Sequence, residues 1–226
     1  MARDNLTLQI HLIQDELLIM GSMVEEATLQ AVQSLKNRDT NIARQIYNND
    51  RVINEKRYSI ESAILILIAT QQPLAHDLRL LAAMLEISSE LERMGDYAKG
   101  ICKVVFNLRD IEIPIPIKDL EEMANKAVNM FHRALAAFIN EDADIAKKIP
   151  AEDDAVDKLF LKAQAFIFNS MLEKPSIIDH SNLLLWVAHN LERLADRVTN
   201  ICERTYFVAT GEFLELETEP KDIQGN

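Results

Sequence analysis

Leu91-Glu92-Arg93-Met94-Gly95-Asp96 returns later in the chain as Leu191-Glu192-Arg193-Leu194-Ala195-Asp196, displaced by 100 residues (196 − 96), and Ile101-Cys102 returns with it as Ile201-Cys202. Outward from this pair the match continues. Pro73 answers to Pro175, and Ala31, Leu35, Asp39 and Ala43 answer to Ala134, Phe138, Asp142 and Ala146 at an offset of 103 (134 − 31). Asp50, Ile53 and Asn54 meet Asp153, Val156 and Asp157 at that same offset. Self-similarity held over a whole chain marks an internal duplication, so each half can be read against the other.

Each half reads as helix. In the third segment Leu81, Met84, Leu85, Leu91, Ala98, Ile101, Cys102 and Val105 follow the i, i+3, i+4, i+7 rule of an amphipathic helix. Five Gly and six Pro in 226 residues are too few for a fold of many short strands and turns. The breakers are Asn37-Arg38-Asp39-Thr40, Gln71-Gln72-Pro73, 109–118, Asn140-Glu141-Asp142 and Glu173-Lys174-Pro175, which leave six long helical segments. The expected fold is all-α: two tandem three-helix repeats related by duplication, at 1–110 and 118–211. Residues 111–117 form a linker, and 212–226 a loose polar tail. Alternating Ile and Pro in Ile113-Pro114-Ile115-Pro116-Ile117 bias that linker to an extended, stiff conformation, the hinge between repeats.

Composition narrows the function. A formal charge of −12 argues against nonspecific nucleic-acid binding, which needs Lys and Arg on phosphates, and favours a cation or a cationic partner. The N-terminus lacks a basic-then-apolar signal pattern, and the longest clean apolar run, 63–69, is far short of the ~20 residues that span a bilayer. The expected location is the cytoplasm, with membranes met only through partners. Cys102 and Cys202 have no Cys-x-x-Cys spacing and read as buried free thiols; Phe160, Phe166, Phe168 and Trp186 sit at spacings that read as core.

The chemistry concentrates in carboxylates. Glu92 and Asp96 stand four apart on one helix face beside Leu85 and Ser89, and the pair recurs at Glu192 and Asp196. Antiparallel pairing through the turn at Gln72 sets 50 opposite 94 and 54 opposite 90, so Asp50 and Asn54 face Glu92 and Asp96. Through the turn near Lys174, 153 falls opposite 195 and 157 opposite 191, so Asp153 and Asp157 face Glu192 and Asp196. Four oxygen-bearing side chains from two helices suit a hard cation such as Mg²⁺, Mn²⁺, Ca²⁺ or iron. The competing reading is that Arg93, Lys99, Arg193 and Arg197 neutralise these acids as ordinary ion pairs. His189, three residues before Glu192, is either a further ligand or a satisfied helix histidine.

Pro73-Leu74-Ala75-His76-Asp77-Leu78-Arg79, Leu91-Glu92-Arg93-Met94-Gly95-Asp96 and Glu192-Arg193-Leu194-Ala195-Asp196, continuing to Asn200-Ile201-Cys202, together resemble the PhoU family of phosphate-signalling regulators over nearly the whole chain. The resemblance implies a cytoplasmic, non-enzymatic protein that restrains phosphate uptake and its gene response. Its implied partners are the ATPase subunit of a phosphate ABC transporter and a sensor histidine kinase, and its implied assembly is a homodimer. It also implies metal or an iron cluster (Mg, Mn or Fe) at Glu92 with Asp96 and at Glu192 with Asp196. Two departures stand out: Ala195 replaces the glycine of the first half, and Asn54 thins the first cluster. Arg79, in the Asp-Leu-Arg motif, is either a partner contact or a capping and ion-pair residue.

Three other readings compete. A ferritin-like di-iron enzyme needs Glu-x-x-His pairs, but the residues three before His11, His76, His132, His180 and His189 are Leu8, Pro73, Asn129, Ile177 and Trp186. A metal-independent helical interaction module would bind partners regardless of chelator. A regulator of a different phosphate transporter would carry the same residues. Phosphate sensing by a P-loop has no support: Gly95 and Gly100 lie inside a helical pattern and are followed by Ile101-Cys102 rather than Lys and Ser or Thr.

Overall fold

The computed structural model describes residues 2–216, with side chains from Asn5 onward. The described residues form α-helices α1 (Ala2–Asn37), α2 (Thr40–Gln71), α3 (Ala75–Asn107), α4 (Ile117–Ile139), α5 (Ala143–Ala146), α6 (Asp153–Glu173) and α7 (Ile178–Thr210), and no strand. The turns repeat as the helices do. Arg38 and Glu141, related by the offset of 103, both adopt φ of 52°. The residue after each caps the next helix: Asp39 accepts from the N–H groups of Asn41 and Ile42, and Asp142 from that of Ile145.

Helices α1, α2 and α3 pack as one three-helix bundle, and α4, α6 and α7 as a second. The bundles join along two seams, α1 on α4 and α3 on α7, so these four helices form the centre and α2 and α6 the flanks. One apolar core runs through both halves, from Leu17, Met20 and Val24 in α1 through Met84, Leu91 and Ile101 in α3 to Leu184, Leu191 and Val198 in α7. Both seams are keyed by glycines. A Cβ on Gly100 would lie 2.1 Å from Cη2 of Trp186, and one on Gly21 would lie 2.4 Å from Cδ1 of Leu135. Each large side chain thus fills the space a missing methyl leaves on the opposite repeat.

Three features depart from the sequence reading. The middle helix of the second repeat is not one segment: after the single turn of α5 it breaks into a 3₁₀ turn, Ile149–Glu152, before α6 begins. Pro150 is the cause, since it lacks an N–H and disfavours helical φ/ψ in the residue before it. Its counterpart in the unbroken α2 is Tyr47 (150 − 103). Second, the aromatics expected in the core are largely outside it. Phe166, Phe168 and Trp186 are 42%, 47% and 43% exposed, because α6 is a flank that meets no α-helix but α4 and α7, and Trp186 lies at the seam against Gly100. Third, the Ile-Pro linker is anchored: Ile113 is buried, and the Arg38 guanidinium donates to the carbonyls of Leu108 and Ile111.

Of the expected tail, 212–216 lie back on α7. Phe213 stacks on Phe207 with centroids 4.1 Å apart, and the Leu216 N–H donates to Glu203 at 3.0 Å. Residues 217–226 lie outside the described part. Cys102 and Cys202 are free and fully buried, as read from their spacing.

Candidate metal centres and the seam between the repeats

The antiparallel pairings of α2 with α3 and of α6 with α7 bring the predicted acids together twice, and the two gatherings differ in charge. In the first, Asp50 is buried, and one of its oxygens lies 3.9 Å from where a Cβ of Gly95 would stand. Its Oδ2 accepts from Asn54 Nδ2 at 3.2 Å and from Lys99 Nζ at 2.5 Å. Lys99 also lies 3.7 Å from Asp96, and its ammonium sits 5.6 Å from the ring centroid of Tyr47. Arg57 donates to Glu61 at 2.7 Å and reaches Glu92 at 3.5 Å. The Glu92 carboxyl is raised above its ordinary range, by burial first and then by Asp96, against the pull of Arg57.

In the second gathering no Lys or Arg among the described residues ion-pairs with Asp153, Asp157, Glu192 or Asp196. Their one ion-pair partner among the described residues is His189, its Nδ1 3.1 Å from Glu192 Oε2. Asp153 is 2% exposed, and its Oδ1 has no hydrogen-bond partner. Burial, then repulsion from Asp157, Asp196 and Glu192, pushes the Asp153 carboxyl up to about 7. Asp157 is raised by burial and then by Asp196, and Glu192 likewise, the latter opposed by His189. Asp196 is also raised by desolvation of its carboxyl, against the lowering influence of Arg197, His189 and Arg193. A buried, unpaired acceptor among like charges is costly and calls for a cation or a proton. The second donor set therefore fits a hard cation, whereas the first already holds two basic side chains. As the side chains stand, no three His, Cys, Asp or Glu groups among the described residues converge on one point, so coordination requires side-chain rotation.

The basic residues weighed as neutralisers divide sharply. Lys99 does neutralise. Arg93 pairs with Glu90 at 3.2 Å, Arg197 reaches Glu90 across the seam at 3.5 Å, and Arg193 lies over the Tyr97 ring at 5.2 Å. With Arg204 on Glu86 at 2.7 Å, these form a polar ladder between α3 and α7. The motif around Arg79 sits at one end of it: His76 meets Glu141 of the second repeat at 2.7 Å, and the Arg79 guanidinium lies against Gly211 and donates to the Val208 carbonyl at 3.4 Å, capping α7. Sequence reasoning missed Arg57, Tyr47 and Glu90. Arg57 had a visible signal, lying three residues after Asn54 and four before Glu61.

The sequence profile described as the PhoU domain matches residues 17–105 and again 120–205. The chain belongs to the PhoU family. Relatives include the phosphate-specific transport system accessory protein PhoU homologs of Clostridium acetobutylicum, 34% identical over 90% of this chain and 94% of that protein, and of Borreliella burgdorferi, 34% identical over 96% and 100%. The accessory protein PhoU of Escherichia coli is 30% identical over 90% of this chain and 85% of its own length. The crystal structure of the phosphate transport system regulatory protein PhoU from Streptococcus pneumoniae superposes with a TM-score of 0.85 at 31% identity, covering 92% of this chain and 99% of that one. The Pseudomonas aeruginosa PhoU structure does so at 28% identity, also with a TM-score of 0.85, over 91% and 99%. The two tandem three-helix repeats expected from the sequence are the PhoU architecture, and no described helix is long and apolar enough to cross a membrane.

Proposed function

We propose that this PhoU protein is a cytoplasmic accessory regulator that restrains phosphate uptake and the phosphate-starvation response. It acts, as a homodimer, by contacting the ATPase subunit of a phosphate ABC transporter and a sensor histidine kinase, and not by catalysis. The observation that carries the regulatory reading is the end-to-end match of both repeats to accessory proteins of phosphate-specific transport. The metal part rests on the second acidic cluster, where Asp153, Asp157, Glu192 and Asp196 would hold a divalent cation. Such an ion would supply the positive charge that the orphaned Asp153 oxygen lacks, and would fix α6 against α7 as one rigid contact face.

The test is pull-down of the transporter ATPase encoded by the same genome. Chelator should weaken capture, Mn²⁺ should restore it, and added salt should weaken it, as the charge of −12 requires of contact with basic patches. Capture that is insensitive to chelator would favour the metal-independent module. Absence of capture, together with unchanged phosphate uptake in a deletion strain, would refute the regulatory reading.

A further inference from the structure

We infer that Lys99, supported by Arg57, is a resident cation of the first acidic cluster, so that this chain loads metal only in its second repeat. The inference rests on the reading of the second cluster as a cation site and adds to it an asymmetry between the halves.

The acids are largely duplicated. Asp50, Glu92 and Asp96 have Asp153, Glu192 and Asp196 as counterparts, and Asn54 has Asp157. The cations are not. At the offsets that align the acids, Lys99 becomes Thr199 (199 − 99 = 100) and Arg57 becomes Phe160 (160 − 57 = 103). The seat of Lys99 is lost as well, because Tyr47, the ring beneath its ammonium, becomes Pro150. One half has thus an ammonium, a guanidinium and an aromatic shelf where the other has a hydroxyl, an apolar ring and a helix break.

Geometry gives the same division. In the first half the buried Asp50 oxygen is filled twice, by Lys99 at 2.5 Å and by the amide of Asn54 at 3.2 Å. Asn54 faces Asp50 with its N–H₂, so it uses up an acceptor rather than offering one. Arg57 covers Glu92. An incoming ion would have to displace an ammonium tethered to the same helix as Glu92 and Asp96, which competes at high effective concentration. In the second half, by contrast, the buried Oδ1 of Asp153 has no hydrogen-bond partner, Glu192 Oε2 has His189 Nδ1 at 3.1 Å beside it rather than a Lys or Arg, and Arg193 and Arg197 reach Tyr97 and Glu90 across the seam. The consequence is a chain with one fixed half and one metal-responsive half.

Equilibrium dialysis of the full chain against Mn²⁺ with elemental analysis tests this. Wild type should take up Mn²⁺, Glu192→Gln/Asp196→Asn should take up none, and adding Lys99→Met to that variant should restore binding at the first repeat, at least tenfold above the parent. Melting gives a readout independent of the second cluster: in chelator Lys99→Met should lower Tm and Lys99→Arg should keep the wild-type Tm, and in the Glu192→Gln/Asp196→Asn background without chelator Mn²⁺ should recover the Lys99→Met loss. Stoichiometric Mn²⁺ in Glu192→Gln/Asp196→Asn that Asp50→Asn removes would overturn the inference while leaving the metal reading intact. No Mn²⁺ in wild type would overturn the metal reading itself and the loading asymmetry with it. An unchanged Tm for Lys99→Met in chelator would overturn the resident-cation role alone.

Discussion

Replacing Asp153 by Asn should stabilise the metal-free protein. Asp153 is 2% exposed, and its carboxyl is pushed up to about 7 from an ordinary 3.8. At ~1.4 kcal/mol per tenfold change in proton affinity, that gap is worth about 4 kcal/mol of penalty on the ionised folded form. The folded state is the stronger proton binder, so its advantage is complete below about pH 4 and is lost as pH rises to about 7. Part of the penalty is shared with Asp157, Asp196 and Glu192, and the amide keeps an orphaned oxygen, so a single Asp153→Asn should recover about 2 kcal/mol. Urea denaturation in chelator at pH 4.5 and pH 8 measures this: the variant should gain at pH 8, gain little at pH 4.5, and show a flatter pH profile. With saturating Mn²⁺ the proposed cation site predicts the reverse order, since wild type would gain by ligand linkage and the variant would lack one of the proposed ligands. A variant less stable than wild type at pH 8 in chelator would refute the claim that this charge is unpaired.

Two further outcomes are expected away from the clusters. Gly100→Val should expel the only tryptophan, Trp186, from its socket, red-shifting its fluorescence and costing about 2 kcal/mol, whereas the same change at an open helical site would cost far less; an unshifted spectrum would show that the socket is not occupied in solution. Burial pushes the Cys102 and Cys202 thiols up to about 12, so a thiol reagent at pH 8 should label neither in the native protein and both in urea; rapid native labelling would place them outside the core.

The duplication was legible because both copies kept the residues that fix turns, cores and acid faces: Asp39 and Asp142 still cap, and Leu91 and Leu191 are still buried. The acid clusters were legible for a simpler reason, since antiparallel helices fix which numbers meet. What sequence pattern could not supply was direction around the helix at finer grain. Lys99 and Arg93 both lie within one turn of Asp96, yet one turns to Asp50 and the other to Glu90. Periodicity likewise told which face of α6 is apolar without telling whether a neighbour covers it, so Phe166 and Phe168 were misplaced in the core. The break at Pro150 was hidden because the two halves align across it without a gap.

The glycine sockets have a mechanical meaning. Gly21 with Leu135 and Gly100 with Trp186 act as two pegs, one in each seam. Translation of one repeat along the helix axes would drive both pegs into backbone at once, whereas a rocking motion can lift one while the other remains seated as its fulcrum. The two sockets therefore favour tilting over sliding as a relative motion of the two repeats.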